Sequence, residues 1–391
     1  MNQRTLLRIL IACAVLFGFV FLRIRWLDRT ARPETGGRPG DPVVRLDVNA
    51  VARIEVAKNG QAVVVERSGN RWILSRMHGY PADSSKVADR LIRLSQMTVG
   101  QVIRGGENFL PEFGLAPLPE EERLTPVENP GQPLAVTLSD SAGRTLWSMK
   151  VGGFRRSAAS LRDPMQTEIS GQYIQGAEGD VILLGELAPD FSPEGLNWLD
   201  SSLTRIAAEE VIAVQAEGSN RTLRLTAERG GWKAQVEEQA MEWADSLDAR
   251  RLAGALRYLR MAGVADPALP DEVTGMNEAD RFEYRTRSGL RIEAKVGREA
   301  AETGNVYFRI TADFDPARIS PSAEKTETGE EGLPALPGEK IKEQKIEEAK
   351  FFAAAAKERL SPWLFMVGSH HAADFRVSRD HLIQSVAEEK P

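Results

Sequence analysis

The sequence contains few of the residues from which disulfides, metal sites and many active sites are built. Its 391 residues include one cysteine, Cys13, which excludes an intramolecular disulfide framework and any metal site with several cysteine ligands. There are four histidines, His78, His370, His371 and His381. The adjacent pair His370 and His371 diverges by about 100° on a helix, so the two rings do not easily bind one ion. We therefore predict no metal site and no cofactor.

Common catalytic motifs are also missing. The chain has no glycine-rich phosphate loop, no serine elbow and no HExxH segment. Its acidic clusters, at residues 120–122 and 209–210, are typical of solvated surfaces, because acid–base catalysis needs buried carboxyl groups in contrasting environments. No catalytic residue is proposed from the sequence, which therefore indicates a non-enzymatic protein.

The composition is that of an ordinary globular protein. Hydrophobic residues make up 42% and charged residues 27%, and the length is enough for about two domains. The net charge of −6 gives no general attraction to nucleic acid, so we expect no nucleic-acid partner.

One long apolar run stands out, from Leu6 to Leu22, in which Arg8 carries the only charge. As a helix it would span roughly 26 Å at about 1.5 Å per residue, near the lower limit for a bilayer. We expect a single transmembrane helix in contact with the lipid bilayer, with residues 1–30 forming a cytoplasmic tip and anchor. A cleaved signal peptide and a lipoprotein modified at Cys13 remain alternatives.

Charge divides the chain at this run. Residues 1–32 hold six arginines and one aspartate, a net charge of plus five, so the remaining residues carry minus eleven. The arginines after the run outnumber those before it, which favours a cytoplasmic body, although long translocated domains often override this rule. Residues 31–42 are rich in glycine and proline and are typical of a flexible spacer.

Short motifs recur in the same order along the body, which indicates an internal duplication of about 160 residues. The matched positions are Trp72 and Trp232, Asp83 and Asp245, Gly152 and Gly297, Tyr173 and Tyr307, and Trp198 and Trp363. Their offsets are 160, 162, 145, 134 and 165 residues. We therefore predict a first repeat at residues 43–200 and a second at 201–391, with a charged insertion at about 317–350.

Each repeat combines alternating segments with one amphipathic segment. Apolar and polar residues alternate before each tryptophan, as in strands with one buried face. Helical spacing follows, with leucines on one face and arginines, such as Arg90 and Arg257, on the other. The predicted fold class is α+β: one N-terminal transmembrane helix and two copies of a meander, helix and meander with mainly antiparallel sheets.

Two features of the repeats allow a functional interpretation. Trp72 and Trp232 are typical of core residues packed on the helix, with a ligand-stacking platform as the alternative. The arginines of the helix faces, Arg90, Arg93, Arg257 and Arg260, indicate either a solvated surface or contact with an acidic partner.

The first repeat resembles a bacterial family of domains of unknown function. The resemblance lies in Gly69-Asn70-Arg71-Trp72, Pro81-Ala82-Asp83, Phe113-Gly114-Leu115, Lys150-Val151-Gly152 and Gln172-Tyr173-Ile174, and it extends more weakly to the second repeat. Members are often encoded beside gliding-motility-type ABC transporter components. The resemblance implies an inner-membrane anchor with the body outside the cytoplasm, against the arginine count.

Two functions are therefore expected. The first is a membrane-anchored extracytoplasmic accessory or scaffold subunit of an ABC-type transport or gliding-motility-like system, with the permease or auxiliary subunits as partners. The alternative is an independent envelope binding module for a glycan, lipid or peptide, with the cleft between the two repeats as its site.

Overall fold

The computed structural model describes residues 38–103, 109–116, 133–156, 169–176, 179–218, 221–228, 231–237, 239–241, 247–315 and 338–388. The chain forms two compact units. The first consists of the residues up to Gly69 together with Ser84–Pro193, and the second of Asn70–Asp83 together with Glu194–Pro391.

Strands dominate both units. The strands are β1 Arg53–Lys58, β2 Gln61–Ser68, β3 Arg71–Leu74, β4 Tyr80–Pro81, β5 Val99–Ile103, β6 Leu134–Ser139, β7 Thr145–Arg156, β8 Ile169–Gly176, β9 Val181–Leu184, β10 Val211–Glu217, β11 Thr222–Glu228, β12 Gly231–Val236, β13 Gln239–Met241, β14 Met261–Ala265, β15 Asp280–Thr286, β16 Leu290–Glu299, β17 Val306–Phe314 and β18 Leu364–Val367. The helices are α1 Ser84–Gln96, α2 Leu247–Gly254, α3 Asp271–Thr274, α4 Gly338–Leu360 and α5 Ser369–Glu388.

The two units contain sheets with the same strand order. In the first unit the order is β2-β1-β6-β7-β8-β9-β5, and in the second it is β13-β12-β11-β10-β15-β16-β17-β18-β14. Adding nine to each strand number of the first order reproduces the second from β11 to β14. The paired strands are antiparallel.

Isolated bridges extend this correspondence beyond the strands. Pro42 pairs with Thr98 in the first unit, and Ser202 pairs with Arg260 in the second. Their offsets of 160 and 162 residues equal those of Trp72 to Trp232 and of Asp83 to Asp245. The chain therefore enters the two copies in the same way.

Register tests the matched positions individually. Tyr173 and Tyr307 are equivalent, since Tyr173 lies opposite Leu183 of β9 and Tyr307 opposite Met366 of β18. Trp198 and Trp363 are not equivalent, because Trp198 follows β9 whereas Trp363 precedes β18. That match in the sequence was coincidental. Asp245 lies outside the described residues.

A close backbone approach explains the repeated Lys-Val-Gly motif. A Cβ atom on Gly152 would lie 2.4 Å from the carbonyl oxygen of Phe113, and one on Gly297 would lie 2.3 Å from that of Thr274. The residue that follows Phe113 is Gly114 and the residue that follows Thr274 is Gly275, and both glycines have left-handed backbone conformations. Only glycine fits at either crossing without moving the backbone.

Helices cover one side of the sheet in the second unit. The ring of Phe375 on α5 lies 5.1 Å from that of Phe282 and 5.6 Å from that of Phe308. Tyr284 donates a hydrogen bond of 2.9 Å to the carbonyl of Leu252 on α2. We call this the inner face of the second sheet and the opposite side its outer face.

The amphipathic segments differ in how far they are helical. On α1 the apolar face consists of Val87, Leu91 and Leu94, and all three are buried. The second segment ends as a helix at Gly254, although Leu256 beyond it is also fully buried. Within the predicted insertion, α4 begins at Gly338, and residues 317–337 lie outside the described part of the chain.

The predicted fold class is wrong. The structure consists mainly of two antiparallel sheets with few helices, rather than the predicted α+β arrangement. No helix in the described ranges is long and apolar enough to cross a membrane. The run at residues 6–22 lies outside those ranges. Strand content was underestimated because β5, β9, β14 and β18 are short and lack strict alternation.

Replacing Gly297 with alanine tests the close approach. We expect Gly297→Ala to lower the free energy of unfolding of the second unit by about 1–3 kcal/mol, because the new methyl group overlaps the Thr274 carbonyl. Urea denaturation followed by tryptophan fluorescence measures the change. Gly176→Ala is the control, since a Cβ atom added at Gly176 would meet no atom within 4 Å. Equal stability of the two variants would contradict this role.

Candidate functional site

The outer face of the second sheet is unusually rich in charged side chains. On β15 the inward residues Phe282 and Tyr284 alternate with the outward residues Arg281, Glu283 and Arg285. Neighbouring strands contribute further outward charges, which are Glu217, Arg224, Arg291, Glu293, Lys295 and Arg309. Ion pairs join several of them across the strands.

A cavity of about 550 Å³ opens on this face over β10, β11 and β15. Short side chains, such as those of Ala213 and Thr226, leave the space open. Long polar side chains surround it, and these are Gln215, Arg224, Glu283, Arg285 and Arg287. We call this space the arginine-lined cavity.

A β-bulge shapes one end of the cavity. The register of β10 against β15 shifts between Val211, which lies opposite Thr286, and Ala213, which lies opposite Arg285. Ile212 is the extra residue, and it lines the cavity beside Ala213. A bulge bends its strand and redirects side chains, so the local sequence of β10 helps to form the depression.

Glu283 is held by two arginines at the wall of the cavity. Its carboxylate accepts a 2.7 Å hydrogen bond from Nε of Arg285 on one oxygen and a 2.7 Å bond from Arg291 on the other. Burial alone would raise the pKa of Glu283, but the hydrogen bonds from Arg291 and Arg285 outweigh it and lower the pKa below its ordinary value. Glu283 is therefore an ionised group that orients Arg285.

The other two arginines of the cavity keep unused donors. Nε of Arg287 donates to the carbonyl oxygen of Glu209 at 3.1 Å, which fixes the side chain at the cavity rim. The guanidinium group of Arg224 makes no ion pair or hydrogen bond with another described residue, and the residue is exposed. Because a guanidinium group has five N–H donors, both side chains can donate into the cavity.

The first sheet supplies an internal comparison. Arg53 lies opposite Glu66 and Ser139, and the equivalent Ala213 lies opposite Thr226 and Arg285. Arg53 fills its position and pairs with Glu66 at 3.0 Å and with Glu55 at 3.3 Å. The second copy has replaced this cluster by small or neutral residues, and the space becomes the cavity.

The charge at these positions is reversed between the copies. Around Arg53, the six outward positions Glu66, Arg53, Ser139, Val64, Glu55 and Thr137 carry a formal charge of −1. Their equivalents Thr226, Ala213, Arg285, Arg224, Gln215 and Glu283 carry +1. Arg287 raises the charge of the cavity to +2. The scaffold is thus shared, whereas the surface chemistry is specific to the second copy.

The residues singled out in the sequence lie elsewhere. Trp72 and Trp232 are half-buried, and Trp232 shares the inward register of Ala234 and Val236, so it faces the helix side as a core residue does. The rings of His370 and His371 lie 4.1 Å apart near the start of α5. Burial and the neighbouring His370 lower the pKa of His371. Among the described residues, no group of three or more histidine, cysteine, aspartate or glutamate side chains is arranged to hold a metal ion.

Of the four helix arginines, Arg90 differs from the predicted solvated setting, whereas Arg93, Arg257 and Arg260 are exposed. Arg90 is buried and donates a 2.5 Å hydrogen bond to the carbonyl of Asp190, which is a structural contact rather than a solvated position. Arg257 is exposed and lies 5.2 Å from the ring of Tyr258. The predicted acidic cluster at residues 209–210 contributes through its backbone, since the Glu209 carbonyl positions Arg287.

Sequence reasoning missed the arginine-lined cavity. The residues that line it are up to 75 positions apart in the chain, from Ile212 to Arg287, and the register of three strands brings them together. One signal was present in the sequence. When the two repeats are aligned at Trp72 and Trp232, the large Arg53 of the first repeat is aligned with the small Ala213 of the second, at an outward position.

Fold and cavity together define a class: a duplicated antiparallel β protein with a cationic cavity on the outer face of one sheet. The chain belongs to the family described as Domain of unknown function (DUF4340), which matches residues 72–278, just over half of the sequence. The match includes Ala213 and Arg224 but ends before Glu283. No curated protein and no solved structure matches the chain.

Acid titration tests the arrangement around Glu283. Because its folded pKa lies below the ordinary value of 4.5, the carboxylate stabilises the fold above that pH and loses this effect as the pH falls through the folded pKa. We expect Glu283→Gln to lower the unfolding free energy at pH 7 by about 1–3 kcal/mol, with the difference from wild type shrinking below pH 4.5. Urea denaturation from about pH 3 to pH 7 measures it. Glu228→Gln, at an exposed position, is the control; a pH-independent difference for Glu283→Gln would contradict the assignment.

Proposed function

We propose that the protein is a non-enzymatic binding protein whose ligand occupies the arginine-lined cavity of the second unit. The observation that carries this proposal is the exchange of Arg53 for Ala213 at equivalent positions of the two sheets. The first copy fills the position with a paired side chain, and the second leaves a space of about 550 Å³. This volume is in the usual range of small-molecule sites, roughly 300–1,000 Å³.

The side chains around the cavity favour binding over catalysis. Its carboxylate, Glu283, is held by Arg285 and Arg291, and its lowered pKa makes it a poor proton donor or acceptor near neutral pH. The lining residues include no cysteine, serine, lysine or histidine that would act as a nucleophile or general base.

This proposal keeps one of the two functions expected from the sequence and changes its location. The binding module was expected to use the cleft between the repeats, whereas the arginine-lined cavity lies on the outer face of the second sheet. A site on one copy is supported by the charge reversal, since a site shared equally by both copies would not require the two surfaces to differ.

A role as an extracytoplasmic accessory or scaffold subunit of an ABC-type transport system is part of the proposal. Its support is the resemblance in the first repeat, whose family members are often encoded beside such transporters. A binding protein suits this role, because an accessory subunit contributes recognition rather than chemistry. Affinity purification of the tagged full chain from its native cells tests this part, with recovery of a permease or ATPase as the expected result and recovery of neither as the contradicting one.

Transplanting the first-copy residues tests the cavity itself. We expect the triple variant Ala213→Arg, Gln215→Glu, Thr226→Glu to fold as wild type, because the first sheet accommodates the same cluster at equivalent positions. It should no longer bind compounds that raise the melting temperature of the wild type. A thermal-shift panel of carboxylates, phosphates, amino acids, peptides and neutral sugars measures this.

The control for the transplant is Arg309→Gln, which removes an outward charge on β17, two strands away from β15 and outside the cavity. This variant should respond to the panel as wild type does. If the triple variant keeps the same responses as wild type, or if no compound stabilises the wild type, the cavity is not a ligand site.

A further inference from the structure

We propose that the arginine-lined cavity binds a small molecule through an oxyanion group, a carboxylate or a phosphate, held by Arg224, Arg285 and Arg287. The inference rests on the proposed function and names its ligand class. It follows from the charge, the available donors and the internal comparison of the two sheets.

Charge is the first argument. Three guanidinium groups line the cavity with a single carboxylate, Glu283. That carboxylate also accepts a hydrogen bond from Arg291, which does not line the cavity. Both oxygens of Glu283 therefore have arginine partners before any ligand binds. The cavity keeps a formal charge of +2 and attracts an anion.

The available donors are the second argument. The guanidinium group of Arg224 makes no ion pair or hydrogen bond with another described residue, and the guanidinium group of Arg287 uses only its Nε for such a bond. The planar fork of an arginine matches a carboxylate or a phosphate with two parallel hydrogen bonds. An oxyanion therefore uses donors that the fold has left unbonded.

Orientation is the third argument. Arg285 reaches Glu283 through Nε at 2.7 Å and through a terminal nitrogen, which holds its guanidinium plane at the wall of the cavity. Glu283 is in turn held from its other oxygen by Arg291. Glu283 and Arg291 are thus positioning residues, and a preoriented Arg285 loses less freedom when an anion binds.

The internal comparison separates this site from an ordinary solvated sheet face. The body of the protein, residues 33–391, carries a net charge of −11, so a cluster of arginines does not follow from composition. The equivalent cluster in the first unit is closed by its own ion pairs, Arg53 with Glu55 and Glu66. In the second copy both glutamates have become neutral, which removes the internal partners and leaves the positive charge for a ligand.

Isothermal titration of the full chain tests the oxyanion directly. The probes are malonate and citrate for carboxylates, inorganic phosphate and pyrophosphate for phosphates, and glucose as the neutral control. We expect at least one anionic probe to bind, glucose to give no heat of binding, and the affinity to fall as sodium chloride is raised from about 50 to 500 mM. The carboxylate and phosphate arms then identify which group the site prefers.

Matched variants locate the bound anion. We expect Arg224→Gln to lower the affinity for the anionic probe by about tenfold or more, since it removes a charge-assisted hydrogen bond. Arg309→Gln removes the same charge from β17, two strands away from β15, and should change the affinity less than about twofold, because exposed charges there are screened by salt. Arg224→Lys, which keeps the charge without the fork, should be intermediate. Circular dichroism checks that each variant is folded.

Three outcomes would overturn the inference. These are no binding of any anionic probe, equal effects of Arg224→Gln and Arg309→Gln, and binding that is independent of salt. The proposed function fails separately: if a neutral compound stabilises the wild type but not the transplant variant, the cavity is a ligand site that does not recognise oxyanions.

Discussion

Antiparallel register is the constraint on which the rest of the structure depends. Pairing of β10 with β11 and β15 sets which residues point to the helices and which point outward. A shift of one residue would turn Glu283 toward the helices and Tyr284 to the outer face, so the aromatic core around Phe375 holds the register. The outward charges are placed as a consequence, and the cavity exists only because Ala213, Thr226 and Arg285 lie opposite one another.

Duplication allowed the two sheets to diverge without loss of the fold. The inward positions remain apolar, as with Ile54 and Val214, and the glycine crossings at Gly152 and Gly297 are kept. These features are fixed by packing, where a single methyl group has a large effect. The outward positions are free of this constraint, and there a paired arginine in one copy corresponds to an open cavity in the other.

Much of the second sheet was predictable, because alternating strands such as β11 and β16 carry a strong periodic signal. Short strands such as β5 and β18 were missed, since four or five apolar residues do not distinguish a strand from other buried segments. The α+β prediction was wrong for this reason, and the predicted membrane helix lies outside the described ranges. The candidate site was not predictable, because Arg224 on β11 and Arg285 on β15 are brought to the same face only by the pairing of both strands with β10.

The sequence by itself determined the internal duplication, the inward faces of the longer strands and the two glycine motifs, since these depend on local periodicity and repeated residues. Only the tertiary structure decided that the hairpin of β3 and β4 belongs to the second compact unit, that Trp198 and Trp363 are not equivalent, and that the arginines enclose a cavity. Each of these depends on contacts between residues far apart in the chain, which strand pairing creates and local pattern does not record.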